Sequence, residues 1–489
     1  MKLGWKKTFL IGMGFLGISL VWQIYDSFVP IFLQGGNAEY DRQAGAVMHE
    51  VLPGETLTDI AAQYTDVTVD DLKALNVLDD DIDLAERTGE GITVQPYTGF
   101  GLSVSLSGLV MTLDNVAALF ILPLIGIWSD HTRSRIGRRY PYIVTAAPVA
   151  ALAFVGVPLA VKMIDTTKNG SIDSNTGAFA LFLAALGLTL TAMAVLRTPV
   201  VALMPDLVPS MLRSKANGII NLMGGVGGII GALGLARLFD AEPLLPFLVS
   251  STVLAVTIAL LFLTVREPDA AQLADIHAHS DESNVKALPG LKDVKLIPQD
   301  HRRSLTFLLL AIFSWFVGYN AISTFFSSYA VTTLNVSAGA APSLFSAALA
   351  AFIIFAVPSG YIGTRYGRRR TINAGLAIFA VLLVVAFFVR SMPLLLVILA
   401  LGGGAWALVN INSLPMVVDI TDDPRLLGTY TGLYYLAAQA AAIVGPVLNS
   451  LIIEHLANYN YSIIFLVAPT FFILAIVCMY NVTRGEAHA

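Results

Sequence analysis

The sequence predicts an all-α membrane protein of twelve helices in two halves of six, with a small βααβ domain inserted after the first helix. Three observations carry this. The 489 residues are 56% hydrophobic and only 13% charged, where a soluble protein carries about 25% charged residues. Twelve apolar runs are each long enough to cross a bilayer, which takes about 20 residues. One polar stretch, 34–98, stands between the first two runs and reads as a water-soluble module.

The runs cover roughly 8–33, 101–128, 141–163, 177–203, 217–238, 244–265, 305–331, 341–363, 372–389, 393–417, 428–452 and 461–482. The opening MKLGWKKTFLIGMGF begins like a signal peptide, but its apolar run continues to about Leu33 without an A-x-A-like site. It is read as an uncleaved first span. Of the 29 Lys and Arg residues, 21 lie in segments on the N-terminal side of the membrane and 7 on the other, counting Lys162 and Arg237 at the outer ends of their spans, with Arg197 inside a span. The positive-inside rule then makes both termini cytoplasmic and places 34–98 outside a cell membrane. That outer segment carries 14 acidic against 3 basic residues. The expected organisation is a first span at 1–33, the insert at 34–98, spans two to six in 99–265, a polar cytoplasmic linker at 266–304, and spans seven to twelve in 305–489.

The halves repeat one another. GIWSDHTRSRIGRR (126–139) follows span two and GYIGTRYGRRR (360–370) follows span eight. PDLVPSMLRSKANG (205–218) follows span four and VDITDDPRLLGTYTG (418–432) follows span ten. Trp22 with Tyr25 and Asp26 in span one corresponds to Trp315 with Tyr319 and Asn320 in span seven. Transporters are commonly built from such repeats, with a substrate site between them near the midplane.

The pattern carried by Gly126, Asp130, Arg133, Arg135, Gly137, Arg138 and Arg139 resembles the loop signature of the major facilitator superfamily. Its R-S-R form, together with TPVVALMPDLVPSMLRSKANGIINLMGGVGG (198–228) and GISLVWQIYDSFVP (17–30), is similar to the sucrose–proton symporters and the glycoside–pentoside–hexuronide:cation symporters. The plant sucrose carriers have an arginine two residues after the span-four proline. Here Val201 holds that place after Pro199, and Arg197 lies two residues before it. The resemblance implies that Asp130 and the signature arginines lock and release the halves, with Asp206 as a partner. Gly360, Arg365, Gly367, Arg368 and Arg369 with Asp419 are the second-half counterparts, Thr364 standing where the first half has Asp130. Topology enforcement alone is the simpler account of these basic loops. The insert resembles LysM, a βααβ module that binds N-acetylglucosamine-containing glycans. Val51 to Leu57 fits the first strand and its turn, with Gly54, Thr56 and Leu57. Ile60, Ala61 and Tyr64 fit one helix, Val69, Leu72, Leu75 and Asn76 the other, and Ile92 to Val94 the second strand. Thr56 with Asp59, and Thr68 with Asp71, are spaced as capping boxes.

Ionisable groups inside spans are costly and point to function. Asp114, midway along span two, and Asp26, in span one, are candidate proton-carrying or sugar-binding carboxylates. Arg197 is a candidate to pair with either or to hold a sugar hydroxyl. The competing readings are a structural hydrogen bond, a solvated interface residue and a snorkelling arginine. Trp22, Trp315 and Trp406 offer indole faces for a sugar ring, and Tyr25, Tyr319, Asn320, Asn410 and Asn412 offer hydroxyl partners. Packing or interface anchoring is the plainer role for any one of them. Glycines 224, 225, 227 and 228 allow close helix approach. No Walker loop, metal-spaced His/Cys cluster or G-x-S-x-G is present, so an enzyme, a cofactor and ATP drive are not expected, nor is nucleic acid. His49 and His131 read as isolated and solvated. The expected function is alternating-access symport of a glycoside or oligosaccharide with a proton, or with sodium. An exporter of the same fold and a glycan receptor without transport are the alternatives. The insert would tether the carrier to wall glycan or hold glycan near the entrance.

Overall fold

The computed structural model describes residues 5–44, 47–64, 67–76, 84, 91–95, 98–165, 168–208, 210–267, 297–421 and 427–486. Among them, twelve helices are long and apolar enough to cross a membrane. Spans one, three, four and six are Trp5–Gln34, Tyr140–Lys162, Thr176–Leu207 and Leu244–Thr264. Seven to ten are Gln299–Leu334, Ala341–Tyr366, Arg368–Phe388 and Met392–Val418. Span twelve is Ile464–Met479 after a short turn, Tyr461–Ile463.

Three spans are not simple rods. Span two is two helices, Val104–Val110 and Leu113–His131. At the break the Thr112 hydroxyl donates to the Leu109 carbonyl at 2.7 Å, and a side chain that takes a backbone partner in this way bends a helix. Asp114, expected midway along a continuous span, therefore sits in the first turn of the second segment. Spans five and eleven each change to a π-helical turn near the insert side, at Ile230–Leu235 and Ile452–Leu456. The two halves share this irregularity, as repeats of one plan would.

Within the first half, span one packs on five and six, and three on four; within the second, seven packs on eleven and twelve, and ten on eight and nine. Across the halves, one meets seven, two meets eleven and five meets eight. The last two pairings are equivalent under the repeat, so the halves meet about a pseudo-twofold axis. Gly227 backs onto the Leu16 carbonyl of span one, and Gly225 onto Ile353 of span eight, the close approach expected of that glycine run.

The insert is the βααβ module, with one correction. Strand β1 is Val47–Glu50 and pairs antiparallel with β2, Gly91–Gln95, matching His49 with Ile92. Val51–Leu57 is thus not strand. The Glu55 amide closes a turn on the Leu52 carbonyl at 3.1 Å, with Gly54 at φ +81°, a backbone angle that glycine adopts without steric cost. Leu57 begins the helix Leu57–Gln63, with Thr56 and Asp59 in a reciprocal capping box; the second helix is Val69–Asn76. Val51, Leu57, Ile60, Leu72, Leu84, Ile92 and Val94 form a core separate from that of the spans. His49 is not solvated: it is buried, donates from Nε2 to Glu55 Oε2 at 2.8 Å, and its Nδ1 is hydrogen-bonded with the Tyr64 hydroxyl at 3.0 Å. The hydrogen bonds from His49 and from the Leu52 amide hold the Glu55 carboxyl down to about 2. The acidic stretch 79–91 and the linker 268–296 lie outside the described residues, apart from Leu84 and Gly91.

Candidate functional site

Asp26, Asp114 and Arg197 come from spans one, two and four and converge. Asp114 lies within electrostatic range of both Asp26 and Arg197. Asp26 is exposed although Tyr25, Ser27 and Phe28 beside it are buried. Its field reaches Tyr319 of span seven, so it faces the space between the halves rather than lipid. Arg197 is exposed too and lies in range of Tyr435 in span eleven. Asp114 opens the second helix of a broken span, and its carboxylate takes the Asn115 backbone N–H there, at a helix end whose partial positive charge favours an anion.

A polar chain links this carboxylate to the second half. Asn115 Nδ2 donates to Asp114 Oδ1 at 2.7 Å, and Gln439 Nε2 of span eleven donates to Asn115 Oδ1 at 2.7 Å and to its carbonyl at 3.1 Å. On the first-half wall, the Trp22 and Tyr25 rings meet edge to face at 5.4 Å. Their indole N–H and hydroxyl have no hydrogen-bond partner among the described residues.

The second-half wall is aromatic. Tyr319 stacks on Trp406 with centroids 4.3 Å apart. Both line a cavity of about 270 Å³ with Phe316, Phe352, Phe379 and Asn410. Trp315 is fully buried and does not line it; Phe316, one residue on, takes that place. Asn412 is buried as well, donating to the Ser359 carbonyl of span eight at 3.1 Å and to Leu408 at 2.9 Å. Its amide ties spans eight and ten together. Asn320 is half-buried and donates to the Phe316 carbonyl of its own helix at 2.8 Å.

The loop signatures lie at the opposite face from the insert. Arg138 donates to Asp206 at 2.6 Å and Arg139 at 3.0 Å, and Arg139 also reaches Ser129 Oγ at 2.5 Å. In the second half Arg368 pairs with Asp419. Each pairing is within a half. Arg133, Arg135 and Arg365 are exposed, Arg365 over the Tyr366 ring, while Arg369 donates to the Tyr480 carbonyl. Gly126 packs near Thr198 and Gly360 near Ile411. The side chains of Asp130 and Asn76 lie outside the described residues. Sequence reasoning missed two carboxylates here. Glu267 accepts from the amides of Arg138, Arg139 and Tyr140, each at 2.7 Å, capping span three; Glu486 accepts from Arg368 and Arg369, capping span nine. Each cap follows a glycine with positive φ, Gly137 at +107° and Gly367 at +92°.

Two further carboxylates, also missed, join the halves on the insert side. Asp240, after span five, accepts from Ser337 Oγ at 2.6 Å and the Gly339 amide at 2.7 Å, both before span eight. Glu454, at the end of span eleven, accepts from the Ser105 amide at the start of span two at 2.7 Å. These clasps sit at the two repeat-equivalent contacts and tie the halves together on the insert side.

Twelve spans among the described residues, in two pseudo-symmetric halves clasped together at one face beside a polar site, define a membrane transporter. The Major Facilitator Superfamily model matches residues 91–348 and 308–489, and the chain belongs to that family. The LysM domain model matches residues 49–85. The chain is 26% identical over 137 residues to the sucrose transport protein SUC3 of Arabidopsis thaliana, covering 27% of this chain and 23% of that protein. It is 29% identical over 143 residues to the sucrose transport protein SUT1 of Oryza sativa subsp. japonica, covering 28% and 27%. These matches span about a quarter of each relative. The crystal structure of a mutant of the nucleoside transporter NupG superposes with a TM-score of 0.62 at 13% identity, covering 98% of this chain and 100% of that one, a likeness of fold.

Proposed function

We propose that this transporter is a proton-coupled symporter importing a glycoside or oligosaccharide by alternating access. The observation that carries the reading is the convergence of Asp26, Asp114 and Arg197 in the space between the halves, opposite the Tyr319–Trp406 stack. Asp114 takes the coupling proton and Arg197 neutralises the carboxylate when that proton leaves. The unpartnered Trp22 N–H and Tyr25 hydroxyl meet sugar hydroxyls, and the Tyr319–Trp406 wall takes the C–H face of the ring. The similarity to sucrose transport proteins supports a sugar, and the Lys/Arg asymmetry supports cytoplasmic termini with the insert outside the cell membrane. Asp206 with Arg138 and Arg139, and Asp419 with Arg368, set the cytoplasmic ends during rocking. The LysM module holds N-acetylglucosamine-containing glycan beside the entrance.

The test is uptake of labelled mono- and disaccharides into proteoliposomes under an inward proton gradient. Gradient-stimulated uptake that Asp114→Asn abolishes is expected. Folded protein that takes up no sugar in either gradient direction would remove the assignment.

A further inference from the structure

We infer that the substrate is an amino sugar and that Asp26 is the residue that pairs with its ammonium group; this rests on the sugar-carrier reading above and goes beyond it. The charges of the site do not balance. Two carboxylates, Asp26 and Asp114, face the space between the halves, and Arg197 is the one Lys or Arg set away from the span ends. Asp114 has Arg197 in range and the Asn115 side-chain amide at 2.7 Å. Asp26 has neither an ion pair nor a hydrogen bond among the described residues, and the groups it interacts with electrostatically are Asp114, Tyr25 and Tyr319. One negative charge is left for a ligand to answer.

When the halves close over the site, an unpaired carboxylate loses water without gaining a partner, which is costly. A cation that arrives with the substrate removes that cost. The surroundings favour an organic cation over a bare metal ion. Trp22 lies one turn before Asp26 and meets the Tyr25 ring edge to face at 5.4 Å. Tyr319, in the field of Asp26, stacks on Trp406 with centroids 4.3 Å apart. Ring faces attract ammonium groups, whereas a hard metal ion takes several oxygen ligands. An ammonium on a sugar ring reaches Asp26 while the C–H face of the same ring lies on the Tyr319–Trp406 wall. The Tyr25 hydroxyl, buried and without a partner among the described residues, takes a neighbouring sugar hydroxyl.

The experiment compares glucose with glucosamine and galactose with galactosamine, pairs that differ by an amine in place of the C2 hydroxyl. Uptake into proteoliposomes is driven by an inward proton gradient, with the outside pH low enough to keep the amine charged. A hydrogen-bonded charge pair is expected to place half-saturation for each amine about tenfold to a hundredfold below that of its neutral partner. Calorimetry in nanodiscs reads the same ratio as Kd, so a variant that no longer transports still reports; because the ratio is taken within each variant, loss of folded protein does not mimic the result. Asp26→Asn should bring the ratio toward one, and Asp114→Asn should keep it while abolishing gradient-driven uptake. Equal values for amine and hydroxyl sugars overturn the inference and leave the sugar-carrier reading standing. A preference lost in Asp114→Asn but kept in Asp26→Asn also overturns it, as does competition by ethanolamine as strong as by glucosamine, since the site would then select a cation without the sugar. Neither uptake nor binding of any sugar removes the carrier reading, and the inference with it.

Discussion

Removing the two insert-side clasps should release that face of the transporter. Glu454 accepts from the Ser105 amide at 2.7 Å with its side chain 16% exposed. Asp240 accepts two hydrogen bonds, but is exposed. A hydrogen bond to a charged group contributes about 1.5–3 kcal/mol, and water competes for the exposed one, so Glu454→Ala should cost about 2 kcal/mol and Asp240→Ala about 1 kcal/mol. The sites are independent, so the double variant should lose about 3 kcal/mol of closure, more than a hundredfold in the closed-to-open ratio. A population closed about 100:1 would become roughly even. The readout is the distance between spin labels at Leu106 and Leu456, both exposed at the insert-side ends of spans two and eleven, after replacing Cys478, the single cysteine. A second, longer distance should appear in the double variant and to a lesser extent in Glu454→Ala. The control is Glu242→Ala, whose carboxylate pairs with Lys162 of its own half at 3.0 Å. A distance distribution unchanged in the double variant, or changed as much by Glu242→Ala, would refute the assignment of these carboxylates as clasps.

Asp206 and Asp419 hold equivalent ends of spans four and ten but differ in burial, 6% against 34% side-chain exposure. Removing the carboxylate that Arg138 and Arg139 share, by Asp206→Ala, should cost about 3–5 kcal/mol, and Asp419→Ala about 1 kcal/mol; thermal melting in nanodiscs should rank them in that order, and equal melts would contradict it. Gln439→Leu removes the donor to the Asn115 side chain and carbonyl, leaving unmet acceptors at about 1–3 kcal/mol. Gradient-driven uptake should fall at least fivefold while Gln439→Glu differs in its pH profile, and wild-type uptake in Gln439→Leu would dismiss the link. Residues 46–97 should fold alone around their own core, giving a cooperative melt by circular dichroism; a featureless melt would contradict this. In that fragment Glu55 is held at about 2 against its usual 4.5. A depressed carboxylate contributes its stability above its usual value and loses it as pH falls toward 2. Wild-type melting temperature should therefore drop more steeply than that of Glu55→Gln between about pH 4.5 and 2.

The spans were legible because burial in lipid imposes an unbroken apolar run, and the repeat was legible because its loops carry dense charge. Asp26, Asp114 and Arg197 stood out for the opposite reason, as charges where few are tolerated. The break in span two was not legible: no Gly or Pro marks residues 111–112, and the bend depends on where the Thr112 hydroxyl turns. Glu267 and Glu486 were missed because each is one carboxylate just beyond a span. Extending the repeat alignment past spans six and twelve would have paired Arg266-Glu267 with Arg484-Gly485-Glu486. Gln439 and Asn115 carry no charge, yet an amide in an apolar run is the signal that names them. Trp315 and Phe316 show the limit of such reasoning, since helix rotation decides which neighbour faces the cavity.

The insert is held more firmly than its separate core implies. The chain leaves span one at Gly35 and returns at Gly99, and these two strands are zipped: Phe100, Gly101 and Leu102 donate to the carbonyls of Phe32, Gly35 and Leu33 at 2.8–3.0 Å. Entry and exit lie side by side, which is the condition for inserting a domain without disturbing its host. The short helix Ala38–Ala44 then leans across onto span seven, burying Tyr40 edge to face against Tyr461 with ring centroids 6.2 Å apart. Gln34 is shared in the same way, donating to Ser328 of span seven at 3.4 Å and accepting from the Tyr461 hydroxyl. The neck therefore belongs covalently to the first half and packs on the second. A motion that separated the halves on the insert side would have to break the Tyr40–Tyr461 and Gln34–Ser328 contacts. A module anchored in this way would be coupled to any motion that parts the halves on that side.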